Sequence, residues 1–171
     1  MNPLNINTPR LELLPLSLRQ LEILLEDISS FELKTGYVYN GEPLIPPIST
    51  IFQNQADLLI KDPNNMIYHT VWMIARKKDK TILGSILSKD CPNTLRQIEI
   101  GYGLNQEYRK KGYMTEAVIA FTEYLQSLPD VGEILAQTLK TNIPSHRVLE
   151  KSRFYVYKKT KLYYWWKQYS E

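Results

Sequence analysis

The segment QIEIGYGLNQEYRKKGYMTEA, residues 97–117, largely determines the fold and function predicted for this chain. Its pattern predicts a strand, a loop with three consecutive cations, and then Gly112 at the start of a long helix. The first amides of a helix have no acceptor within it, and the helix dipole adds positive charge at that end. Together with three basic side chains, these amides would suit a phosphate or pyrophosphate. The residues alone leave open a second interpretation, in which the glycine permits a turn in a solvated basic loop.

Two further glycines, Gly101 and Gly103, lie within the predicted strand. Glycine inside a strand is typical of a bulge or of a ligand that approaches the backbone closely. The loop after the strand is not a Walker A loop, because it lacks the bracketing glycines and the terminal Lys-Ser/Thr pair. It is not a dinucleotide-binding fingerprint either, because it carries one glycine and its strand belongs to a meander.

Hydrophobic periodicity predicts the remaining elements. Apolar residues after Gly112 recur at helical spacing up to Leu125, and this helix should end before Pro129. Ser17 is predicted to cap an earlier helix whose apolar stripe runs from Leu18 to Ile28. Further helices are predicted at 50–60 and 144–151, an irregular segment at 37–49, and strands at 9–16, 68–76, 81–88, 95–104, 133–139, 154–157 and 162–169. This order of elements predicts a mixed α/β (α+β) fold.

Length and composition restrict the class of protein. The chain has 171 residues, so a single domain over 1–171 is expected, and its net charge of +3 is too small to indicate nucleic-acid binding. No apolar stretch is long enough to cross a membrane and no signal peptide is recognisable, so a cytoplasmic location is expected. Cys91 is the single cysteine and has no obvious base beside it, which predicts an incidental thiol. His69, His146 and Cys91 are far apart in sequence, so no metal site is predicted.

Three segments carry a resemblance to a known family. RKKGYM at 109–114 resembles the Gln/Arg-x-x-Gly-x-Gly/Ala acetyl-CoA signature of the GNAT acetyltransferases. NIPSHRVLEKSRF at 142–154 resembles their Asn-x-x-Ser-x-x-Val-Leu-Glu-Lys-x-Gly-Phe element, and TPRLEL at 8–13 is similar to their opening strand. The resemblance points to the branch typified by the ribosomal-protein N-terminal acetyltransferases. Met114 replaces the usual small residue and Arg153 replaces glycine, so an arginine must adopt an unusual backbone angle.

The resemblance implies a fold and a reaction. The fold would be a single-domain GNAT fold with a mixed, mostly antiparallel sheet of about seven strands, helices on both faces and a splayed central cleft. The reaction would be the direct attack of an amine on the thioester of acetyl-CoA, with acetyl-CoA as co-substrate and no metal.

The resemblance also implies roles for particular residues. The strand edge at Tyr102, Gly103 and Leu104 would pair with the pantetheine arm, Asn142 would hydrogen-bond it, and Ser145 would lie near the sulfur. The pyrophosphate would be bound by the backbone of Arg109, Lys110, Lys111, Gly112, Tyr113, Met114 and Thr115.

Glu99 is the candidate base, acting through water, and the alternative is an exposed glutamate in a cross-strand pair. Many family members have a tyrosine acid where this chain has Leu149. Ser145, a bound water or a tyrosine of the aromatic C-terminus would then serve as the acid.

The acceptor and the partners stay open at this stage. The acceptor would be a protein N-terminus or a small amine, bound by the variable segment around 31–60, and the chain would be a monomer or a homodimer. A non-catalytic CoA-binding sensor is the second class considered. The third is a nucleic-acid-binding protein that uses the basic loop and the aromatic C-terminus. Neither a nucleic-acid nor a membrane partner is expected.

Overall fold

The computed structural model describes residues 4–168 and contains nine strands and six α-helices in that part of the chain. The strands are β1 (Ile6–Asn7), β2 (Leu11–Pro15), β3 (Val38–Tyr39), β4 (Val71–Arg76), β5 (Thr81–Ser88), β6 (Gln97–Leu104), β7 (Glu133–Leu139), β8 (Phe154–Lys159) and β9 (Tyr163–Gln168). The helices are α1 (Leu18–Glu26), α2 (Ile28–Thr35), α3 (Ile48–Lys61), α4 (Met66–His69), α5 (Tyr113–Gln126) and α6 (Ile143–Lys151). The two strands beyond the expected seven, β1 and β3, have two residues each.

The strands form one sheet in the order β1-β2-β4-β5-β6-β7-β9-β8, with β3 parallel to β5. The other pairs are antiparallel except β6 and β7, which run parallel. The parallel ladder covers only Gln97–Ile100 of β6, and beyond Ile100 the two strands separate. The predicted mostly antiparallel sheet and its splayed cleft are therefore confirmed.

Helices cover both faces of the sheet, as predicted. In β4, Trp72 and Ile74 join the core that contains α5 and α6. Val71, Met73 and Ala75 point the other way, into the core formed with α1, α2 and α3. Because successive strand residues point to opposite faces, an uninterrupted apolar strand such as β4 fits a sheet that is covered on both sides.

The first helix is shorter than its apolar stripe indicates. Ser17 caps α1 as predicted, in a reciprocal pair with Gln20. The helix then ends at Glu26, because Asp27 closes α1 and caps α2 by accepting hydrogen bonds from the amides of Ser29 and Ser30. The prediction that Ile28 belongs to the first helix is therefore wrong.

One further prediction about strands is wrong, and one of the two alternatives for the glycines of β6 is excluded. Residues 68–70 were predicted to begin a strand, but a short helix, α4, precedes β4, following the 3-10 turn that begins at Pro63. Of the two interpretations of Gly101 and Gly103, a bulge or the close approach of a ligand, the bulge is excluded, because the β5–β6 register runs unbroken from Gly84–Leu104 to Ser88–Ile100. The free edge of β6 arises from the separation of β6 and β7 and not from a bulge.

The predicted boundaries of β7 and the end of α5 before Pro129 are confirmed. Tyr169, the predicted end of the last strand, lies outside the described residues. No helix within residues 4–168 has the length and apolar character needed to span a bilayer.

Candidate functional site

A cavity of about 920 Å³ opens where β6 separates from β7 and the first turns of α5 and α6 approach each other. Its wall contains every residue predicted to bind the cofactor except Lys111. Those wall residues are Tyr102, Gly103, Leu104, Arg109, Lys110, Gly112, Tyr113, Met114, Thr115, Asn142 and Ser145. The fold therefore joins two motifs that are about thirty residues apart in the sequence.

Gly112 provides the backbone geometry at the start of α5. It precedes the helix with φ of 78°, a left-handed conformation that side chains disfavour, and it makes no side-chain cap. The first amides of α5 have no helical acceptor, so they are available to a ligand in the cavity. Met114 is buried in the core, which agrees with a role for its backbone and not its side chain.

Arg10, from the segment before β2, supports this loop from behind. Its guanidinium donates to the carbonyl of Lys111 at 3.0 Å and lies over the ring of Tyr113 at 4.5 Å. The Glu116 carboxylate accepts hydrogen bonds from the backbone amide of Arg10 at 2.9 Å and from the Nε of Arg10 at 2.7 Å. It also accepts one from the hydroxyl of Thr8 at 2.6 Å. The opening-strand motif thus fixes the loop that would bind the pyrophosphate.

We expect Glu116→Gln to destabilise the chain at neutral pH. Burial raises the pKa of Glu116, but the hydrogen bonds from Thr8 and Arg10 outweigh burial and lower the pKa below its ordinary value. Because the pKa of Glu116 is lower in the folded state than its ordinary value of 4.5, the ionised carboxylate stabilises the folded chain. This stabilisation is complete well above pH 4.5 and is lost as the pH falls through the folded-state pKa. The free energy of unfolding should fall by about 1 kcal/mol at pH 7 and by less near pH 3. The loss is no larger because Arg10 is half-exposed and solvent screens its ion pair with Glu116.

Denaturant unfolding at both pH values measures this difference. Glu123→Gln is the matched control, since Glu123 is an exposed glutamate on the same helix. An equal loss of stability in both variants, or a loss that does not depend on pH, would contradict the assigned role of Glu116.

The three cations of the loop have different surroundings. Arg109 lines the cavity and donates from Nε to the carbonyl of Leu104 at 3.3 Å. Lys110 also lines it and has a positive φ of 61°. Lys111 lies outside the wall, and its Nζ donates to the carbonyl of Glu107 at 3.1 Å. Two of the three predicted cations therefore face the cavity.

Tyr102 and Ser145 bridge the gap between β6 and α6. The Tyr102 hydroxyl lies 2.7 Å from the Oγ of Ser145, and either atom can be the donor. Burial raises the pKa of Tyr102, so its phenol stays protonated over the physiological range. Leu149 is fully buried in the core, so no proton donor replaces the family's tyrosine at that position.

The other predicted features of the second motif have clear local roles. Asn142 caps α6 by accepting from the amide of Ser145 at 3.3 Å. Arg153 has φ of 66°, so the arginine that replaces glycine does adopt the left-handed conformation. His146 is buried against Tyr164 and Trp166, with ring centroids 5.3 and 5.4 Å away.

A second cavity of about 480 Å³ lies on the other side of β6. Its walls include apolar residues of α3 such as Ile48, Ile51 and Phe52, so the segment around 31–60 does line a cavity. Both cavities share three residues, Glu42, Tyr102 and Gly103. A cofactor in the larger cavity and an acceptor in the smaller one would therefore meet at this junction.

Glu42 is a residue of the site that the sequence did not select, because it was one of three carboxylates, with Glu32 and Asp57, too scattered in sequence to indicate an acidic acceptor pocket. Its carboxylate lies against the bare backbone of Gly103, so close that a Cβ on Gly103 would be 1.8 Å from Oε2. Burial raises the pKa of Glu42, and the charge of Arg109 offsets part of this rise. The signal available in the sequence was a carboxylate in a proline-rich segment, which does not indicate where that segment folds.

The segment that carries Glu42 is fixed to the end of β6. Asn105 donates from Nδ2 to the carbonyls of Asn40 at 3.1 Å and Gly41 at 3.0 Å. Tyr39 donates from its hydroxyl to the carbonyl of Glu42 at 2.8 Å. These bonds hold the carboxylate at the junction without relying on regular secondary structure.

Glu99 lies on the same face of β6 as Gly101 and Gly103, since alternate strand residues share a face. Its side chain forms an ion pair with Lys89 of the neighbouring turn. Lys89 lines the smaller cavity. The structure thus contains the cross-strand pair that was the alternative to a catalytic Glu99.

Comparisons with known proteins identify the family of the chain. A model of the acetyltransferase (GNAT) domain matches residues 10–155. The chain belongs to the GNAT acetyltransferase family. The uncharacterized N-acetyltransferase YjdG of Bacillus subtilis (strain 168) is 30% identical to this GNAT acetyltransferase over 134 residues, 77% of each chain.

Solved GNAT structures share the fold over nearly the whole chain. Ribosomal-protein-S5-alanine acetyltransferase from Vibrio fischeri has a TM-score of 0.71 at 14% identity and covers 96% of each chain. RimL, a ribosomal L7/L12 alpha-N-protein acetyltransferase solved with coenzyme A, has a TM-score of 0.67 at 12% identity, covering 96% of this chain and 97% of RimL. The predicted GNAT fold is confirmed.

Proposed function

We propose that this GNAT acetyltransferase is an acetyl-CoA-dependent N-acetyltransferase in which the acceptor amine attacks the thioester directly. The observation that carries the proposal is the junction of the two cavities at Glu42, Tyr102 and Gly103. Such a junction holds two reactants in contact without a covalent intermediate, and proximity of this kind supplies much of the catalysis.

The larger cavity would hold acetyl-CoA. Its pyrophosphate would lie on the first amides of α5 beside Gly112, with Arg109 and Lys110 supplying positive charge. The pantetheine arm would extend along β6 beyond Ile100, where the strand has separated from β7. Asn142 and Ser145 of α6 line the opposite wall, which would place Ser145 near the sulfur.

Glu42 is proposed to receive a proton from the acceptor ammonium. An ammonium must lose one proton before its nitrogen can attack the carbonyl carbon, and it loses a second as the C–N bond forms. A carboxylate at the junction, with its pKa raised by burial, is placed and tuned to accept one of them. Glu99, acting through water, remains the competing candidate, although its carboxylate is already engaged in an ion pair with Lys89.

Tyr102 is proposed to supply the proton to the departing sulfur. When the C–S bond breaks, CoA leaves as a thiolate and takes up the phenol proton. The second proton of the amine would then return to the Tyr102 oxygen, which restores the phenol. The Tyr102 phenol is protonated, lines both cavities and is hydrogen-bonded to Ser145 at 2.7 Å. The pair would fill the role of the tyrosine that Leu149 replaces.

The acceptor cavity favours an amine with a compact apolar body. Its wall combines apolar side chains of α3 with two carboxylates, Glu42 and Asp57, and two lysines, Lys61 and Lys89. Because its wall carries charges of both signs, the cavity is less suited to a polycation such as an aminoglycoside than a purely acidic cavity would be. A protein N-terminus with small apolar residues, or an apolar monoamine, fits the volume of about 480 Å³.

Glu42→Gln should lower kcat by about 100-fold, while acetyl-CoA binding, measured by calorimetry, stays close to that of the wild type. The acid limb of the kcat/KM profile, which reports the free-enzyme base, should also disappear. Glu99→Gln is the matched comparison, and we expect it to retain most of the activity. Thiol release with a panel of N-terminal peptides and monoamines provides the assay.

The reverse result, with Glu99→Gln inactive and Glu42→Gln active, would transfer the role of base to Glu99. Saturable acetyl-CoA binding with no turnover on any amine would instead support the CoA-binding sensor. Steeply salt-dependent RNA binding without CoA affinity would support the nucleic-acid reading.

A further inference from the structure

Three side chains of metal-ligand type meet outside both cavities. Asp62 follows α3, His69 ends α4, and Cys91 lies in the turn between β5 and β6. Their ligand atoms all lie within 4.8 Å of one another. The expectation that Cys91 has no base beside it is wrong, because the fold brings the His69 ring to it.

Two of the three distances in this cluster match those between the ligands of a tetrahedral zinc ion, and the third, between the Asp62 carboxylate and Sγ of Cys91, is within 4.8 Å. Nε2 of His69 lies 3.2 Å from Oδ2 of Asp62 and 3.5 Å from Sγ of Cys91. Ligands about 2.0 Å (N and O) and 2.3 Å (S) from Zn²⁺ would be roughly 3.3 Å apart for nitrogen–oxygen and roughly 3.5 Å apart for nitrogen–sulfur. Both spacings agree within about 0.1 Å.

We propose that Asp62, His69 and Cys91 form a zinc site. Thiolate, imidazole and carboxylate together suit Zn²⁺, and three protein ligands leave a fourth position for water. His69 is 2% exposed, while Asp62 and Cys91 remain partly accessible, which provides a path for the ion.

Hydrogen bonding alone satisfies this cluster poorly. A single Nε2 can donate to the Asp62 carboxylate or accept from the Cys91 thiol, but it cannot do both at once. Nδ1 of the same buried ring has no hydrogen-bond partner among the described residues. A metal on Nε2 would use the carboxylate, the thiolate and the ring nitrogen together.

Asp90 occupies the position expected of a supporting residue. Its Oδ1 lies 3.8 Å from Nδ1 of His69, on the ring edge away from the other ligands. Metal-bound histidines almost always donate their second ring N–H to a carboxylate, a carbonyl or water. With zinc on Nε2, the proton must reside on Nδ1, and a small movement would bring it to Asp90.

The backbone of His69 is already fixed in place. Gln55 of α3 donates from Nε2 to the carbonyls of His69 at 2.8 Å and Ser88 at 3.0 Å. Since Gln55 also lines the acceptor cavity, zinc would join the end of α3 to the β5–β6 turn beside that cavity. The site would therefore stabilise the wall of the acceptor cavity without touching the reacting atoms.

Cobalt titration of the untagged, metal-free protein tests the proposal. Cys91 is the only cysteine of the chain, so a thiolate-to-cobalt charge-transfer band would arise from Cys91 alone. We expect one Co²⁺ per chain with this band, and its displacement by one equivalent of Zn²⁺. Cys91→Ser should abolish the band and weaken Zn²⁺ binding at least about tenfold.

Asp90→Asn should keep the band but weaken Zn²⁺ binding by about 10- to 100-fold, as loss of an outer-shell partner does. Asp79→Asn is the control, because Asp79 pairs with Arg76 away from the cluster, and it should change nothing. Absence of the band in the folded wild type would overturn the proposal and leave only a hydrogen-bonded trio. Zn²⁺ affinity unchanged in Cys91→Ser would equally overturn it, indicating an adventitious surface site.

Discussion

Gly112→Glu should abolish acetyl-CoA binding, with at least about a 100-fold loss of affinity, which corresponds to about 2.7 kcal/mol. Gly112 precedes α5 and lines the larger cavity, where the pyrophosphate is proposed to bind. A carboxylate there would repel the phosphates and occupy their place at the free helix amides. The new Cβ would also stand 3.3 Å from Nη2 of Arg10, the residue that supports the loop.

Backbone strain is the alternative explanation for such a loss, and Gly36 provides the matched control. Gly36 ends α2 with φ of 74°, nearly the same as the 78° of Gly112, and a Cβ there meets nothing within 4 Å. Gly36→Glu and Gly112→Glu should therefore each lower the free energy of unfolding by a similar amount, about 1–2 kcal/mol, through backbone strain. Only the substitution at Gly112 should affect the cofactor.

Calorimetric titration of acetyl-CoA into both variants and the wild type, with a melting curve for each, makes the comparison. Equal melting temperatures with binding lost only in Gly112→Glu would support the assigned pyrophosphate site. Undiminished binding in a folded Gly112→Glu variant would exclude it, whatever the other motifs suggest.

The parts of the fold that sequence patterns predicted well are those fixed by local spacing. The helix after Gly112 carries an apolar residue every three or four positions, and β7 is bounded by turns, so their limits follow from the chain itself. The backbone angle of Arg153 was also predicted correctly, because the motif requires a left-handed residue at this position and arginine adopts φ of 66° there.

The errors share a different cause. Residues 68–70 alternate as a strand would, but Pro63 starts a helical turn and Tyr68 contacts Asp130 from far along the chain. The strands β1 and β3 have two residues each and exist only because a neighbouring strand is present. No local pattern contains this information.

The candidate site divides in the same way. That the residues of the larger cavity lie together could be predicted, because the loop amides and cations are contiguous with a helix start. The wall of the smaller cavity could not be predicted, because Glu42 reaches Gly103 through a loop held by Asn105 and Tyr39. Likewise, Cys91 reaches His69 only because β5, β6 and α4 pack together.

Gly103→Ala should lower kcat by about 100-fold or more. A Cβ at this position would lie 1.8 Å from Oε2 of Glu42 and 2.6 Å from its Cδ, so the carboxylate must move by an ångström or more. Displacement of a reacting group by about 1 Å can cost roughly 100-fold in rate. Acetyl-CoA affinity, measured separately by calorimetry, distinguishes this effect from obstruction of the pantetheine path.

Gly101→Ala is the matched control, because Gly101 lies two residues earlier on the same face of β6 and lines the smaller cavity as well. A Cβ there meets only Cδ1 of Leu87 at 3.8 Å, an ordinary contact, so activity should remain near that of the wild type. If Gly103→Ala acts through Glu42, the double variant with Glu42→Gln should be little slower than either single variant. Additive losses of kcat in the double variant would show that the methyl group acts on the substrate path and not on the carboxylate. Equal rates in Gly103→Ala and Gly101→Ala would remove Glu42 from the proposed mechanism.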